Sequence, residues 1–437
     1  MNRDPHRGRT PHPEGSLHAS VMQVAQGRFK ILRHPIEKND KLQAWDAADE
    51  FILNDVSEKL QTFVHPKVLI INDSFGAISV ALNEYKPCAV SDSFISQAAT
   101  RQNLALNQID FDAVRLFDSL VLPQDKFDFI LIKAPKTLAF FEDMLIRLQE
   151  NLAAKTQVIV AGMVKNLSVS VWQMMAKYIG ATKPSKAAKK ARLIYAQVDA
   201  DRIAPINPYP AYYQLENTTV QICNHANIFS HKKLDIGTRY FIEHLPQEDK
   251  YKQVVDLGCG NGLVGLIFSR NNPQAQLHFV DESFMAVASA EENFKQAVTT
   301  VKASFQAGDA LTDFEDKSMD LILCNPPFHQ QNTIGGHIAL RMFEQSKRVL
   351  KQNGELWVIG NRHLGYHVSL KKYFPTVEVI ISNAKFIIIK ACNSMVSGHA
   401  PPAQGNPDAG RLRTRGSSAF RRVGGRRLRD LPRPRGT

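Results

Sequence analysis

The chain is expected to be an α/β protein: two tandem Rossmann-like domains from an internal duplication, the first of them degenerate. Three observations predict this. Short apolar runs of strand length alternate with helix-length segments, the pattern of βαβ units around a parallel sheet. The series of elements that starts at Val68 recurs in the same order from Val254. Matching landmarks also drift apart slowly. Gly76 and Gly262, Ser93 and Ser283, Pro135 and Pro327, and Gly162 and Gly360 are separated by 186, 190, 192 and 198 residues, as small loop insertions in a duplicated unit would produce.

Taken in order, residues 1–25 are rich in His, Pro, Gly and Arg and lack periodicity. They are expected to be a disordered leader upstream of a natural start near Met22. The first domain is expected over 26–205. It opens with an amphipathic helix, Leu42 to Leu60, and a buried strand, Val68-Leu69-Ile70-Ile71. A turn with Gly76, a helix, and a strand ending near Ser91-Asp92 follow. A strand from Phe127 to Ile132 closes on Lys133-Ala134-Pro135, then a long helix runs to about Leu152 before Val158 to Gly162. The second domain, 206–392, repeats the series. Its strand Val254 to Leu257 leads into the turn Gly258 to Gly262 and a helix from Leu263 to Arg270. A second strand ends at Phe279 to Ser283, Met319 to Cys324 leads into Asn325-Pro326-Pro327-Phe328, and Leu356 to Gly360 comes last.

Residues 393–437 hold ten Arg, no Lys and two Asp, a balance of +8 out of the chain's +12. That leaves +4 for residues 1–392, which permits nucleic-acid binding without demanding it. The absence of Lys suggests a foreign reading frame in the tail, and a basic RNA-binding tail is the other reading. Composition is that of a soluble globular protein, 44% apolar and 22% charged. There is neither an apolar run of membrane-spanning length nor a secretory signal. The five cysteines are scattered with no C-x-x-C pair, against a metal site or disulfide framework and for a cytoplasmic location. A monomer with no membrane contact is expected.

The two domains differ where chemistry would be done. Asp256, Gly258, Gly260 and Gly262 correspond to Ile70, Asn72, Ser74 and Gly76, and Asn325 corresponds to Lys133. The first domain therefore reads as a scaffold or substrate-binding module. In the second, the glycines allow a ligand close to the backbone, and the following helix offers unpaired N–H groups. Acidic Asp256 would repel a pyrophosphate but suits an ammonium or sulfonium. Asp281, at the end of the second strand, is suited to two ribose hydroxyls, and Asp309 to an adenine amino group. Each proline of Asn325 to Phe328 stiffens its own φ and pushes the preceding residue into an extended conformation. Asn325 and the Pro326 carbonyl would then be fixed acceptors for a planar exocyclic amine, with Phe328 stacked on its ring.

DLGCGNG (256–262), VDES (280–283), GDA (308–310) and NPPFH (325–329) together resemble the class I S-adenosylmethionine-dependent methyltransferases. The Asn-Pro-Pro-Phe-His form is similar to bacterial ribosomal RNA guanine-N2 methyltransferases, and the fit is best for those acting on the large subunit. The likeness runs from about Phe29 to Ala391 and includes the decayed first half with INDSFGA (71–77) and LIKAPKTLA (131–139). It implies S-adenosylmethionine as cofactor, 23S ribosomal RNA as partner and N2-methylguanosine as product. It also implies that the segment with Phe229 and Gly237 closes over the cofactor, although a linker with a helix cap is an equal reading. His329 and Arg362 are candidate substrate contacts. Lys186, Lys189 and Lys190 are candidate phosphate contacts or simply a solvated face. An adenine-N6 DNA methyltransferase, a glutamine-N5 protein methyltransferase and a non-catalytic RNA-binding assembly protein are the alternatives.

Overall fold

The computed structural model describes residues 20–36, 42–203, 205–216, 218–228, 233–297, 300–327 and 333–394. The chain divides into two compact units between Ile206 and Asn207.

The first unit opens with a hairpin, β1 (Val21–Val24) and β2 (Gly27–Lys30). The expected leader to residue 25 is thus too long. Met22 is wholly buried and the hairpin alternates inward and outward residues, a period-2 signal too short to stand out from the polar stretch before it. Helix α1 (Ala47–Gln61) starts later than expected because Asp46 caps it. There follow β3 (Val68–Ile71), α2 (Ala77–Ala81), β4 (Cys88–Ser91), α3 (Phe94–Leu106), β5 (Arg115–Asp118) and β6 (Phe129–Lys133). Helix α4 (Leu138–Arg147), β7 (Gln157–Met163), α5 (Val169–Tyr178), β8 (Thr182–Pro184) and β9 (Ala191–Gln197) complete the unit. The helix expected to reach about Leu152 stops at Arg147 and tightens into a 3-10 turn.

The second unit opens with the hairpin β10 (Ala211–Gln214) and β11 (Gln221–Asn224), then α6 (Ile236–Ile242), β12 (Gln253–Leu257), α7 (Leu263–Asn271) and β13 (Gln276–Asp281). Next are α8 (Phe284–Ala297), β14 (Ala303–Ala307), β15 (Met319–Cys324), α9 (Thr333–Val349), β16 (Leu350–Asn361), α10 (Tyr366–Leu370), β17 (Thr376–Ser382) and β18 (Phe386–Cys392).

Each unit holds a seven-stranded mixed sheet. The orders are β5-β4-β3-β6-β7-β9-β8 and β14-β13-β12-β15-β16-β18-β17. Six strands of each sheet run in one direction, and the sixth in each list, β9 or β18, runs against both of its neighbours. The central strands are buried on both faces, which is why Val68 to Ile71 and Leu321 to Cys324 read as unbroken apolar runs. Strand order reverses beside the strand of each sheet that comes first in the chain, β3 or β12, the place past whose carboxyl end ligands bind in open α/β sheets.

The parallels extend to single side chains. Buried Asn103 donates to the carbonyls of Leu32 and Phe75 at 2.8 Å each and accepts from the Leu32 N–H. Buried Asn293 donates to those of Cys223 and Asn261 at 2.9 and 3.0 Å and accepts from the Cys223 N–H. Each asparagine ties the chain beyond the opening hairpin, or its second strand, to the turn after the first sheet strand. Ser93 and Ser283 hydroxyls each accept a backbone N–H three residues on, at 3.1 Å, fixing the helix that begins beside that turn.

Candidate active site

Beyond Leu257 the chain passes through Gly258, Gly260 and Gly262 at φ of +70°, +54° and +76°, the left-handed region where a Cβ is penalised. Two of the three are also hemmed in, Gly262 the more closely. A Cβ on Gly262 would lie 2.7 Å from that of Ala290, and one on Gly258 would lie 3.1 Å from the main-chain oxygen of Asn325. Around Gly260, no described atom lies within 4 Å of that position, so this glycine borders open space.

Asp281 spans the crevice from the end of β13. Its carboxylate accepts from the Gly260 N–H at 2.9 Å and the Ser283 N–H at 3.0 Å. These bonds orient the carboxylate beside the glycine turn. Asp256 differs from expectation. It is buried, and one oxygen accepts from the Gly265 N–H at 2.7 Å in the first turn of α7. Burial pushes its pKa up to about 8, against the Gly265 bond and with a smaller push from Asp281. In the free protein at neutral pH it is mostly a neutral acid under the turn, not a surface charge awaiting a cation. Its second oxygen is buried without a partner among the described residues.

Asp309 has a partner of its own. It is buried and paired with Arg341 of α9, a partner brought in from a helix some thirty residues away in sequence. Gly237 is buried in the first turn of α6, where a Cβ would lie 3.0 Å from Asp235 Oδ2 and 3.2 Å from the Phe386 ring. Its evident work is close packing of helix on strand. The residue beside it, Thr238, belongs to the segment expected to cover the cofactor, and it reaches Asn325, a contact the sequence did not announce. Asp235 caps α6 by accepting the Thr238 N–H at 2.9 Å and contacts its hydroxyl at 3.3 Å. The same hydroxyl accepts from Asn325 Nδ2 at 3.4 Å. Only the Asp-x-Gly-Thr cap pattern marked this residue, and it carries no long-range information.

Asn325 follows β15 directly. Its main-chain N–H donates to the Leu257 carbonyl at 3.3 Å, holding the proline corner against the glycine turn. Its side-chain Oδ1 is buried with no partner among the described residues. An unmatched buried acceptor costs about 1–3 kcal/mol, so one at the mouth of a crevice calls for a donor. Pro326 is buried and Pro327 exposed. Phe328, His329 and Phe229 lie outside the described residues, as do 1–19 and 395–437.

Arg362 is exposed beyond the carboxyl end of β16, its guanidinium donating to the Asn383 carbonyl at 3.3 Å. In the first unit Lys186, Lys189 and Lys190 are exposed at the β8–β9 hairpin, and Lys189 pairs with Glu50 at 2.9 Å. In the same unit the end of β6 carries an ion cluster. Lys133 Nζ sits 2.8 Å from Asp46 and 2.7 Å from Asp49. Burial lifts Asp49 to about 6 in spite of Lys133. For Lys133, burial is outweighed by the two carboxylates, Asp49 foremost, and its pKa rises above the ordinary lysine value. A cavity of about 720 Å³ bounded by Lys347, Lys371, Lys372 and Phe374 shares no residue with the glycine turn or proline corner. Among the described residues no helix is long and apolar enough to cross a membrane, and no three His, Cys, Asp or Glu side chains cluster as a metal site would require.

A left-handed glycine turn bordering open space, a carboxylate fixed across it and an unmatched acceptor alongside suit an adenosyl sulfonium ligand. Fold and site define an S-adenosylmethionine-dependent methyltransferase. Residues 19–200 match the RLMG N-terminal domain and residues 219–390 the methyltransferase small domain. Two relatives are named ribosomal RNA large subunit methyltransferase G. That of Ectopseudomonas mendocina (strain ymp) is 46% identical over 83% of this chain and 97% of its own length. That of Stutzerimonas stutzeri (strain A1501) is 43% identical over 85% and 99%. A solved T. thermophilus 16S rRNA N2 G1207 methyltransferase, in complex with AdoMet and guanosine, shares the fold with a TM-score of 0.64 at 17% identity, over 85% of this chain and 97% of that one. The chain belongs to the ribosomal RNA large subunit methyltransferase G family.

Proposed function

We infer that this protein methylates the exocyclic N2 of a guanine in 23S ribosomal RNA, forming N2-methylguanosine, with S-adenosylmethionine as methyl donor. The observation that carries the reading is the buried, unmatched Asn325 Oδ1 held against the glycine turn. When bound, the cofactor supplies an electrophilic methyl on sulfur. Asn325 Oδ1 and the Pro326 carbonyl accept the two N2 hydrogens, holding the nitrogen lone pair in line, and Phe328 stacks on the base. The N2–methyl bond forms as the sulfur–methyl bond breaks, and the amine loses one proton to solvent. Acceptors fixed before positive charge develops give the chief stabilisation.

Thr238 sets the sense of the Asn325 amide. A hydroxyl has one proton, and the Asp235 carboxylate is the acceptor for it. Thr238 Oγ1 can then only accept from Asn325, so the NH₂ end faces Thr238 and Oδ1 faces the substrate. Asp281 takes ribose hydroxyls. Gly258 and Gly260 make room for the cofactor, Asp256 braces the turn, and Asp309, with Arg341, borders the adenine end. Phe229 and Gly237 belong to the segment covering the cofactor. His329 and Arg362 contact RNA near the guanine, and Lys186, Lys189 and Lys190 contact phosphates.

Matching strand order, asparagine ties and helix caps support descent of both units from one duplicated domain. The first, 26–205 with its hairpin added, is degenerate: Lys133 and its two aspartates occupy what is a crevice in 206–392. The protein acts as a cytoplasmic monomer.

The test is methyl transfer to protein-free 23S RNA, assembled subunits, DNA and a release factor, read by nucleoside and peptide mass spectrometry. N2-methylguanosine in 23S RNA alone is expected; a methylated adenine or glutamine instead would reject the assignment. Asn325→Ala is expected to lose 10²–10³ in rate while still binding cofactor. Thr238→Val should lose kcat about tenfold or more with KM little changed, and Thr238→Ser should restore it.

A further inference from the structure

A groove in the first unit has no part in the fold or the crevice. Val164, Leu167, Val169, Trp172 and Arg192 line a cavity of about 440 Å³, in the size range of ligand pockets. It lies past the carboxyl end of β7, where α5 begins. Val164 and Val169 are 41% and 71% exposed. Arg192 Nε is buried with no partner among the described residues, and no carboxylate lines the groove.

The register of the sheet indicates that Arg192 is there for something other than folding. Arg192 of β9 pairs across from Gly162 of β7. In the second unit Ile387 of β18 pairs across from Gly360 of β16, and it is a buried apolar residue. The same position thus accepts an ordinary core side chain. The hairpin tip with Lys186, Lys189 and Lys190 is joined to the groove, since the Val164 N–H donates to the Lys190 carbonyl at 2.8 Å. Lys189 is turned to Glu50, while Lys190, Lys186 and Arg192 carry no ion pair among the described residues.

We propose that this groove holds one unstacked RNA base against Trp172, with Arg192 donating to the base edge or its phosphate and the lysine tip following the backbone. A flat aromatic ligand with an anionic backbone satisfies the indole, the unmatched guanidinium and the cationic rim together. An apolar protein anchor would satisfy only the first. From the proposed function the inference takes only that the ligand is RNA.

Tryptophan fluorescence of the full chain tests it. Of three tryptophans, Trp45 and Trp357 are buried, so Trp172 is the one able to meet a base. Titration with a short single-stranded oligoribonucleotide should quench the emission saturably. Trp172→Phe should remove most of the quench and weaken binding about tenfold. Arg192→Met should weaken it similarly and flatten the salt dependence by about 0.7 in log–log slope. Unquenched emission, or unchanged affinity in both variants at unchanged melting temperature, overturns the proposal and leaves a protein partner as the groove's occupant. Methyl transfer measured on the same samples separates the two readings. Transfer without quenching sinks the base slot alone, and quenching without transfer by the unaltered protein sinks the proposed function alone.

Discussion

Asp256 shows how a side chain can be required by its neighbours and still not carry the charge its position suggests. One oxygen caps α7 through Gly265 and the other is unmatched, so the proton it keeps at neutral pH is a consequence of dry surroundings. Unfolded, the group titrates near 3.8; folded, near 8. Between those values the native state retains a proton the unfolded chain has lost. Its contribution to stability is therefore complete below about 3.8 and lost as pH rises through about 8. Asp256→Asn keeps the acceptor for Gly265 and abolishes the titration. Melting curves should show the variant gaining stability relative to the unaltered protein steadily from about pH 4 to about pH 8. A gap that does not change with pH would contradict the burial argument.

At the scale of elements, the glycine turn divides labour among residues that look alike in sequence. Gly262 is needed to bring α8 near, because its Cβ position collides with Ala290. Gly260 borders open space. Alanine at either carries the left-handed penalty, about 1–2 kcal/mol, but the consequences should separate. Gly262→Ala should lose at least about 2 kcal/mol of stability, since overpacking adds to the backbone cost. Gly260→Ala should lose little more than the backbone penalty and bind S-adenosylhomocysteine at least about tenfold more weakly. Calorimetric melting and titration on both variants check the split. The α6 cap works on the same scale: one helix start, built by Asp235, delivers Thr238 to a strand end 87 residues further on.

For the molecule as a whole, two sheets of one topology hold opposite contents at matching sites. In the second unit Asn325 meets Thr238 at the start of α6; in the first Lys133 meets Asp49 at the start of α1. One strand end thus carries an unmatched acceptor and the other an ion cluster. One cofactor per chain is the expected calorimetric stoichiometry, and two would overturn the account of the first unit. Removing one member of a buried ion pair strands the other. Lys133→Ala should therefore cost about 3 kcal/mol, more at high pH as Asp49 loses its proton, with cofactor affinity unchanged.

By itself the sequence determined the order of elements, their recurrence, the glycine turn, Asp281 at the next strand end and the proline corner. Each is a short-range pattern: apolar runs for strands, glycines for positive φ, prolines for a stiff exit. Side-chain partners were decided only by the tertiary structure. Arg341 on Asp309, Thr238 on Asn325, Gly265 above Asp256 and Asp49 on Lys133 join residues that the fold brings together and no local pattern announces. Charge state followed the same division, because desolvation and pairing depend on what surrounds a carboxyl in space, and a list of residues does not contain that.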